Sequence, residues 1–243
     1  MPQACDADAF LAACTVDPAV FALRPDYRAA LLVVDGLAPA ASARHGGGAT
    51  DPLMAAAENH ARELLASSPA DQLPHIAAWR EAYRAFGAKP QRTRNSLEAL
   101  TRRAGGGLPR VNALTDAYNA ISVLHQIPLG GEDLSAYRGA ARLHRATGEE
   151  PFDTVASGET TIEHPEPGEV VWADETGVTC RRWNWRQCRR TGLTRATRTA
   201  FFVLDALAPL PDTALEAAAG ALIDALRPLG ADLTIARRTI GAP

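Results

Sequence analysis

Between Cys180 and Cys188 the chain reads Cys-Arg-Arg-Trp-Asn-Trp-Arg-Gln-Cys, two tryptophans and an asparagine interleaved with three arginines. Arg189, Arg190, Arg195 and Arg198 follow, and no acidic residue occurs between Glu175 and Asp205. Seven cations in eighteen residues, on a chain of formal net charge −3, make a local positive field. Such a field suits a polyanion or a carboxylate better than a core. The plainer reading is a β-hairpin whose tryptophans are core and whose arginines are a solvated face. On an extended segment with period two, Arg182 and Arg186 share one face and Trp183 and Trp185 the other. The tryptophans then either fill the core or stack on a base.

The remaining chemistry is that of amides and carboxylates. Four cysteines, at 5, 14, 180 and 188, lack paired Cys-x-x-Cys spacing, and the six histidines lie fifteen or more residues apart. That pattern predicts no metal site and no cofactor, and in a reducing compartment free thiols rather than disulfides. Cys188 sits among arginines that would lower a thiol pKa, but no histidine stands near it to act as a base. Asn112, Asp116 and Asn119 lie on one stripe of an amphipathic segment, beside the apolar Leu114, Tyr118, Ile121 and Leu124. Asp116 is open to two readings, a group binding a substrate amine or an ordinary surface or capping carboxylate. A second basic stretch, Arg92, Arg94, Arg102, Arg103 and Arg110, contains only Glu98 as an acid. Arginine count alone says little, because 24 of the 25 cations are Arg and only Lys89 is Lys; clustering is the better signal.

These residues need a scaffold, and 243 residues with 47% apolar content can bury one. Residues 28–37 read as a buried strand, and 39–49 as a glycine-rich loop. Asp51 caps a helix to about Ala66 with Pro52 in its first turn, and a second helix runs from Pro74 to Phe86 with an aromatic stripe. Asn95 or Ser96 caps Leu97 to Arg103, and a further helix spans Ala113 to about Gln126, ended by Pro128-Leu129-Gly130-Gly131. Residues 138–174 are rich in strands and turns, including a strand over Glu169 to Asp174 that leads into the Glu175-Thr176-Gly177 turn. Thr194 caps a helix through Leu207, another helix covers Asp212 to Leu229, and Asp232 to Thr239 closes as a strand. Mixed elements without βαβ alternation predict an α+β fold with mixed sheets and flanking helices. No apolar run approaches a membrane span and no charged-then-apolar leader opens the chain, which predicts a cytoplasmic protein.

Three segments in order resemble the B3/B4 domain, the tRNA-editing domain of phenylalanyl-tRNA synthetase beta subunits, in its free-standing form. They are Leu108-Pro-Arg-Val-Asn-Ala-Leu-Thr-Asp-Ala-Tyr-Asn119, Ile127-Pro-Leu-Gly-Gly-Glu-Asp133, and Pro167-Gly-Glu-Val-Val-Trp-Ala-Asp174 running into the arginine-rich hairpin. The resemblance is strongest over 92–207 and implies one domain over 1–243, with 208–243 a C-terminal helix and strand. It departs at two places: the synthetase has a histidine where this chain has Gly130, and a glycine-rich loop followed by a glutamate where this chain has 183–191. The synthetase's editing residues do not carry over there. The resemblance implies a trans-acting hydrolase of misacylated tRNA, with tRNA charged with an arginine analogue such as canavanine, or with an aromatic amino acid, as substrates. It also allows a non-hydrolytic tRNA- or amino-acid-binding module, or an aminoacyl-tRNA-dependent transferase.

An aminoacyl-tRNA is an activated ester, so editing needs a positioned water and a polarised carbonyl more than a strong nucleophile. On the resemblance, Asn119, Arg186 and Gln187 are the catalytic candidates, and Asn112, Asp116, Arg182 and Asn184 the substrate-binding ones. Arg92, Arg94, Arg189, Arg190, Arg195 and Arg198 are the candidates for gripping the tRNA acceptor end, with salt-sensitive affinity. Neither DNA nor a membrane is an expected partner. The pocket is expected between the Asn112–Asn119 helix and the 181–188 hairpin.

Overall fold

The computed structural model describes residues 6–39, 48, 50–156 and 158–242. The glycine-rich loop expected at 39–49 lies almost wholly outside them. The architecture is α+β, and its frame is a pair of facing sheets. The first sheet has four strands in the order β11-β2-β10-β3, where β2 is Arg28–Asp35, β3 Leu129–Asp133, β10 Thr199–Ala206 and β11 Thr234–Gly241, all antiparallel to their neighbours. The second has five strands in the order β1-β4-β7-β8-β9, with β1 Thr15–Val16, β4 Arg142–Arg145, β7 Val170–Ala173, β8 Val178–Arg181 and β9 Arg186–Gln187. The β1–β4 pairing is parallel and the rest antiparallel, so the sheets are mixed. A separate ribbon pairs β5, Phe152–Ala156, with β6, Glu159–Glu163.

Period-two alternation decides what each face of β2 and β10 does. Leu31, Val33 and Phe201 point into the space between the sheets, where they meet Leu143, Val170, Trp172 and Trp183. Ala30, Leu32, Val34, Phe202 and Leu204 point the other way, onto α6 (Ala113–Leu124) and α7 (Asp212–Leu226). Behind α6 lie α3, Asp51–Ser67, and α5, Ser96–Ala104, packed through Met54, Ala57, Ala61, Ala104, Ala120 and Val123. The margin of the inter-sheet space is closed by α1 (Ala7–Ala13), α2 (Pro18–Leu23) and α4 (Pro74–Ala85), which contribute Phe10, Val20, Trp79 and Tyr83.

Local chemistry accounts for most boundaries. The Asn95 side chain accepts from Glu98 N at 2.8 Å and starts α5. Asn112 does the same for α6, accepting from Thr115 N at 2.8 Å. Two expectations are corrected. The helix expected from Thr194 to Leu207 is instead β10, an inner strand of the four-stranded sheet. Its core Ala-Phe-Phe-Val-Leu is short, apolar and rich in aromatic and β-branched residues, and burial on both faces removes the alternation that would have marked a strand. Pro128-Leu-Gly-Gly is likewise more than a helix terminator, because Leu129–Asp133 forms the edge strand β3. A Cβ on Gly131 would lie 2.6 Å from the Phe202 ring, so glycine lets β3 pass over that ring.

Candidate functional site

A half-open cleft of about 270 Å³ sits between α5, α6 and the β8–β9 hairpin, floored by β3, β7 and β10. Its wall is largely aromatic and aliphatic, with Tyr118, Trp172, Trp183, Trp185 and Val203. Its polar side chains include three carboxamides, Asn119, Asn184 and Gln187, and two acids, Glu132 and Asp205.

The hairpin is shaped by a backbone kink. Arg182 and Trp183 both adopt left-handed conformations, φ 48° and 67°, each costing roughly 1–2 kcal/mol for a residue with a Cβ. The kink is held by Trp183 N donating to Val170 O at 2.6 Å and Trp185 N to Arg181 O at 3.0 Å. It breaks the two-residue alternation, so the expectation that both tryptophans share one face is corrected. Trp183 is wholly buried, edge-on to Trp79 and Tyr27 with centroids 5.2 and 4.9 Å apart. Trp185 is half-buried at the cleft, with the Arg182 and Arg186 guanidiniums 4.4 and 4.6 Å from its ring.

The local positive field is largely met by acids from distant segments. Glu169 accepts from Arg181 Nε and Nη2, both at 2.9 Å, and from Arg182 Nε at 3.4 Å. Glu163 accepts from Arg181 at 2.9 Å and Arg186 at 2.5 Å. Arg189 pairs with Asp153 at 3.3 Å, and Arg190 takes both oxygens of Asp174 at 2.7 and 2.9 Å. Arg195 and Arg198 remain exposed, with Arg198 also donating to the Arg195 and Thr197 carbonyls. In the segment before α5, Arg92 is exposed and Arg94 reaches Glu98 only at 3.8 Å.

The sequence-derived candidates therefore separate. Asn119, Asn184 and Gln187 come together in the cleft, whereas Asn112, Asp116, Arg182 and Arg186 do not line it. Asn112 is spent as a helix cap, and fully buried Asp116 accepts from Val111 N at 2.8 Å, which anchors the turn before α6. Arg182 ties the hairpin to Thr93 at 2.6 Å, and Arg186 ties it to β6. All four build the frame around the cleft. The Asn119 side chain has no hydrogen-bond partner among the described residues, while Gln187 Nε2 donates to Gly131 O at 3.1 Å.

The two acids were not singled out from sequence. Asp205 Oδ1 accepts from Tyr27 OH at 2.6 Å and Oδ2 from Asn184 Nδ2 at 3.3 Å, while Asn184 Oδ1 accepts from Tyr83 OH at 3.0 Å. Burial raises Asp205 to about 7 against these donors. Burial likewise lifts Glu132 to about 7, opposed by hydrogen bonds from Tyr137 and from Thr191, whose Oγ1 lies 3.1 Å away. Glu132 stands opposite Phe201 on β10, so four residues, roughly 13 Å of strand, separate it from Asp205 on the same face of the sheet. Asp205 is the single carboxyl of an apolar strand, an anomaly the sequence offered as a signal, whereas Glu132 stands beside Asp133 at the end of a glycine-rich strand and carries no such mark. The thiols are a different matter: burial holds Cys180 well above the usual range and raises Cys188 too, so both are protonated at neutral pH. Among the described residues no group of three or more His, Cys, Asp or Glu is placed to hold a metal ion. No helix there is long and apolar enough to cross a membrane.

A family model described as the B3/4 domain matches residues 78–217, more than half of the chain. Among solved structures the chain is similar to an N-terminal fragment of the phenylalanyl-tRNA synthetase beta-subunit from Pyrococcus horikoshii, with 13% identity and a TM-score of 0.44. That match covers 91% of this chain and 49% of the fragment, so the chain spans about half the fragment's length. No curated protein matches.

Proposed function

The chain belongs to the B3/4 domain family, and on that premise we propose that it is an aminoacyl-tRNA deacylase, hydrolysing the ester that joins a wrong amino acid to the terminal ribose of tRNA. The observation that carries this reading is the cleft, an aromatic-walled space of about 270 Å³ lined by three carboxamides, with a buried acid toward each end. That volume lies at the small end of ligand pockets, suiting an aminoacyl group rather than a nucleotide. An activated ester needs a held water, a polarised carbonyl and an excluded solvent. Asn119 and Gln187 offer amide donors and acceptors for the first two, and the tryptophans supply the third.

Two buried carboxyl groups favour a substrate carrying a cation. An ammonium or guanidinium entering the cleft at Asp205 would pull that acid back toward its ionised form and gain a charge-assisted hydrogen bond. Of the substrates considered, tRNA charged with an arginine analogue such as canavanine fits this better than tRNA charged with an aromatic amino acid. The acceptor end would meet exposed arginines, with Arg195, Arg198, Arg92 and Arg94 as the candidates.

The test is a release assay on a panel of mischarged tRNAs. Faster release of a cationic amino acid than of an aromatic one is expected. Release no faster than the buffer background across the whole panel would overturn the reading.

A further inference from the structure

We propose that Glu132 is the group that moves the proton in this reaction. The inference rests on the deacylase reading above and adds a residue that neither the family resemblance nor the sequence pattern assigns.

Place and surroundings separate Glu132 from the other cleft acid. At its own end of the cleft it follows Gly131, whose carbonyl accepts from Gln187 Nε2 at 3.1 Å, and Gln187 and Glu132 both line the same cleft. The Gln187 Oε1 atom has no partner among the described residues and is left as an acceptor. Glu132 is itself satisfied by hydroxyls alone: Tyr137 OH, which also reaches Thr179 Oγ1 at 3.3 Å, and Thr191 Oγ1 at 3.1 Å. A hydroxyl can turn to donate or accept, so this shell serves the acid in both protonation states. Asp205 is bound differently. One of its oxygens takes the Asn184 amide, a donor only, and Asn184 is itself pinned by Tyr83. Asp205 is thereby suited to hold a substrate cation, and Glu132 to change state.

The charged and titratable groups around Glu132 leave that behaviour intact. Tyr137 follows β3, Tyr118 comes from α6 and Cys180 from β8, all with burial-raised pKa values. Cys188 and Arg190 come from the segment after β9, and Arg190 is already paired with Asp174. Phe201, opposite on β10, is uncharged. Burial places the Glu132 midpoint at about 7, where a general base is most effective at neutral pH. In the step itself, the Glu132 carboxylate accepts a proton as the water oxygen bonds to the ester carbonyl carbon. The tetrahedral intermediate then expels the ribose oxygen, and Glu132 returns the proton to it. The products are the free amino acid and uncharged tRNA.

Single-turnover deacylation from pH 5.5 to 8.5 tests this, with the substrate that wild type releases fastest. Glu132→Gln is expected to lose about 10²- to 10⁴-fold in rate, with substrate affinity changed less than about threefold and the rise through pH 7 flattened. Glu132→Asp, which keeps a displaced carboxyl, should fall between, and Thr191→Val should move the midpoint upward by removing a donor to the charged form. Asp205→Asn should weaken affinity and keep the pH rise. A Glu132→Gln variant with the wild-type rate and pH profile overturns the assignment while the deacylase reading stands. A wild type that releases nothing overturns the deacylase reading, and this role with it.

Discussion

Gln187 occupies the space that a side chain on Gly130 would need: a Cβ at Gly130 would lie 2.9 Å from Gln187 Nε2. Only the far end of a flexible side chain is in the way, so Gly130→Ser should fold. It should displace the amide and slow deacylation on the order of 10²-fold, as expected for a misplacement of about 1 Å. Gly131→Ala makes the contrast, since its Cβ would meet the Phe202 ring at 2.6 Å. That variant should lose about 1–3 kcal/mol in urea unfolding. Equal stability loss in both variants would show that Gly130 is structural as well.

Asp205 and Glu132 should leave a signature in stability against pH. Their folded pKa values of about 7 lie above unfolded values near 4, so their favourable contribution is complete below pH 4 and is lost as pH rises through 7. Relative to the Glu132→Gln/Asp205→Asn double variant, wild type should lose stability between pH 4.5 and 7, at up to about 1.4 kcal/mol per pH unit for each acid. Denaturant melts at several pH values check this, and parallel curves for the two proteins would refute it.

His75 works in the opposite direction. Its Nδ1–H donates to Gln126 O at 2.7 Å, and Nε2 accepts from Leu207 N and Trp79 Nε1 at 3.1 and 3.2 Å, which requires the neutral ring. Burial lowers its pKa to about 4, so the stability it confers is present above pH 6.5 and is lost as pH falls toward 4. His75→Gln should cost about 1–3 kcal/mol at pH 7 and lose less than wild type on acidification. Unfolding free energies at pH 7 and 4.5 measure both effects.

The arginines after the hairpin should divide by partner. Arg190→Gln removes the cation from Asp174, whose buried carboxylate keeps the backbone donors of Arg138, Thr176 and Gly177, and should cost about 1–3 kcal/mol of stability. Arg195→Gln/Arg198→Gln should leave the melting temperature unchanged but raise KM for charged tRNA and reduce its salt dependence. A salt titration of KM decides; an unchanged slope would mean that this surface does not dock tRNA.

Deacylation should also survive Cys188→Ala and thiol alkylation, because the buried thiol is protonated and hydrogen-bonded to Thr191 at 3.2 Å. Loss of activity with folding intact would point to covalent catalysis.

Much of the frame was legible in the chain. Asn95, the Pro74–Ala85 stripe and the Arg28–Asp35 run declare their elements through capping chemistry and periodicity. Elements buried on both sides were harder, because β10 shows no alternation and the glycines of β3 resemble a terminator. At the site, Asn119, Asn184 and Gln187 could be gathered because they lie in recognisable segments. Glu132 and Asp205 could not, because they lie on separate strands, Glu132 next to Asp133 and Asp205 alone in an apolar run, and only the sheet register brings them to one face. The arginines misled for a related reason: Glu163, Glu169, Asp153 and Asp174 neutralise them from other strands and turns, and sequence clustering does not show such partners.

The left-handed kink at Arg182 and Trp183 divides one short hairpin into an anchor and a reader. Trp183, wholly buried in the cleft wall, is locked against Trp79 and Tyr27, whereas Trp185 and Gln187, two and four residues later, are only half-buried at the cleft. Selectivity could therefore drift, or be redesigned, by exchanging Trp185 and Gln187 while Arg182, Trp183 and their acidic partners stay fixed. A saturation library at those two positions should stay mostly folded, whereas one at Trp183 should collapse through losses of about 3–5 kcal/mol.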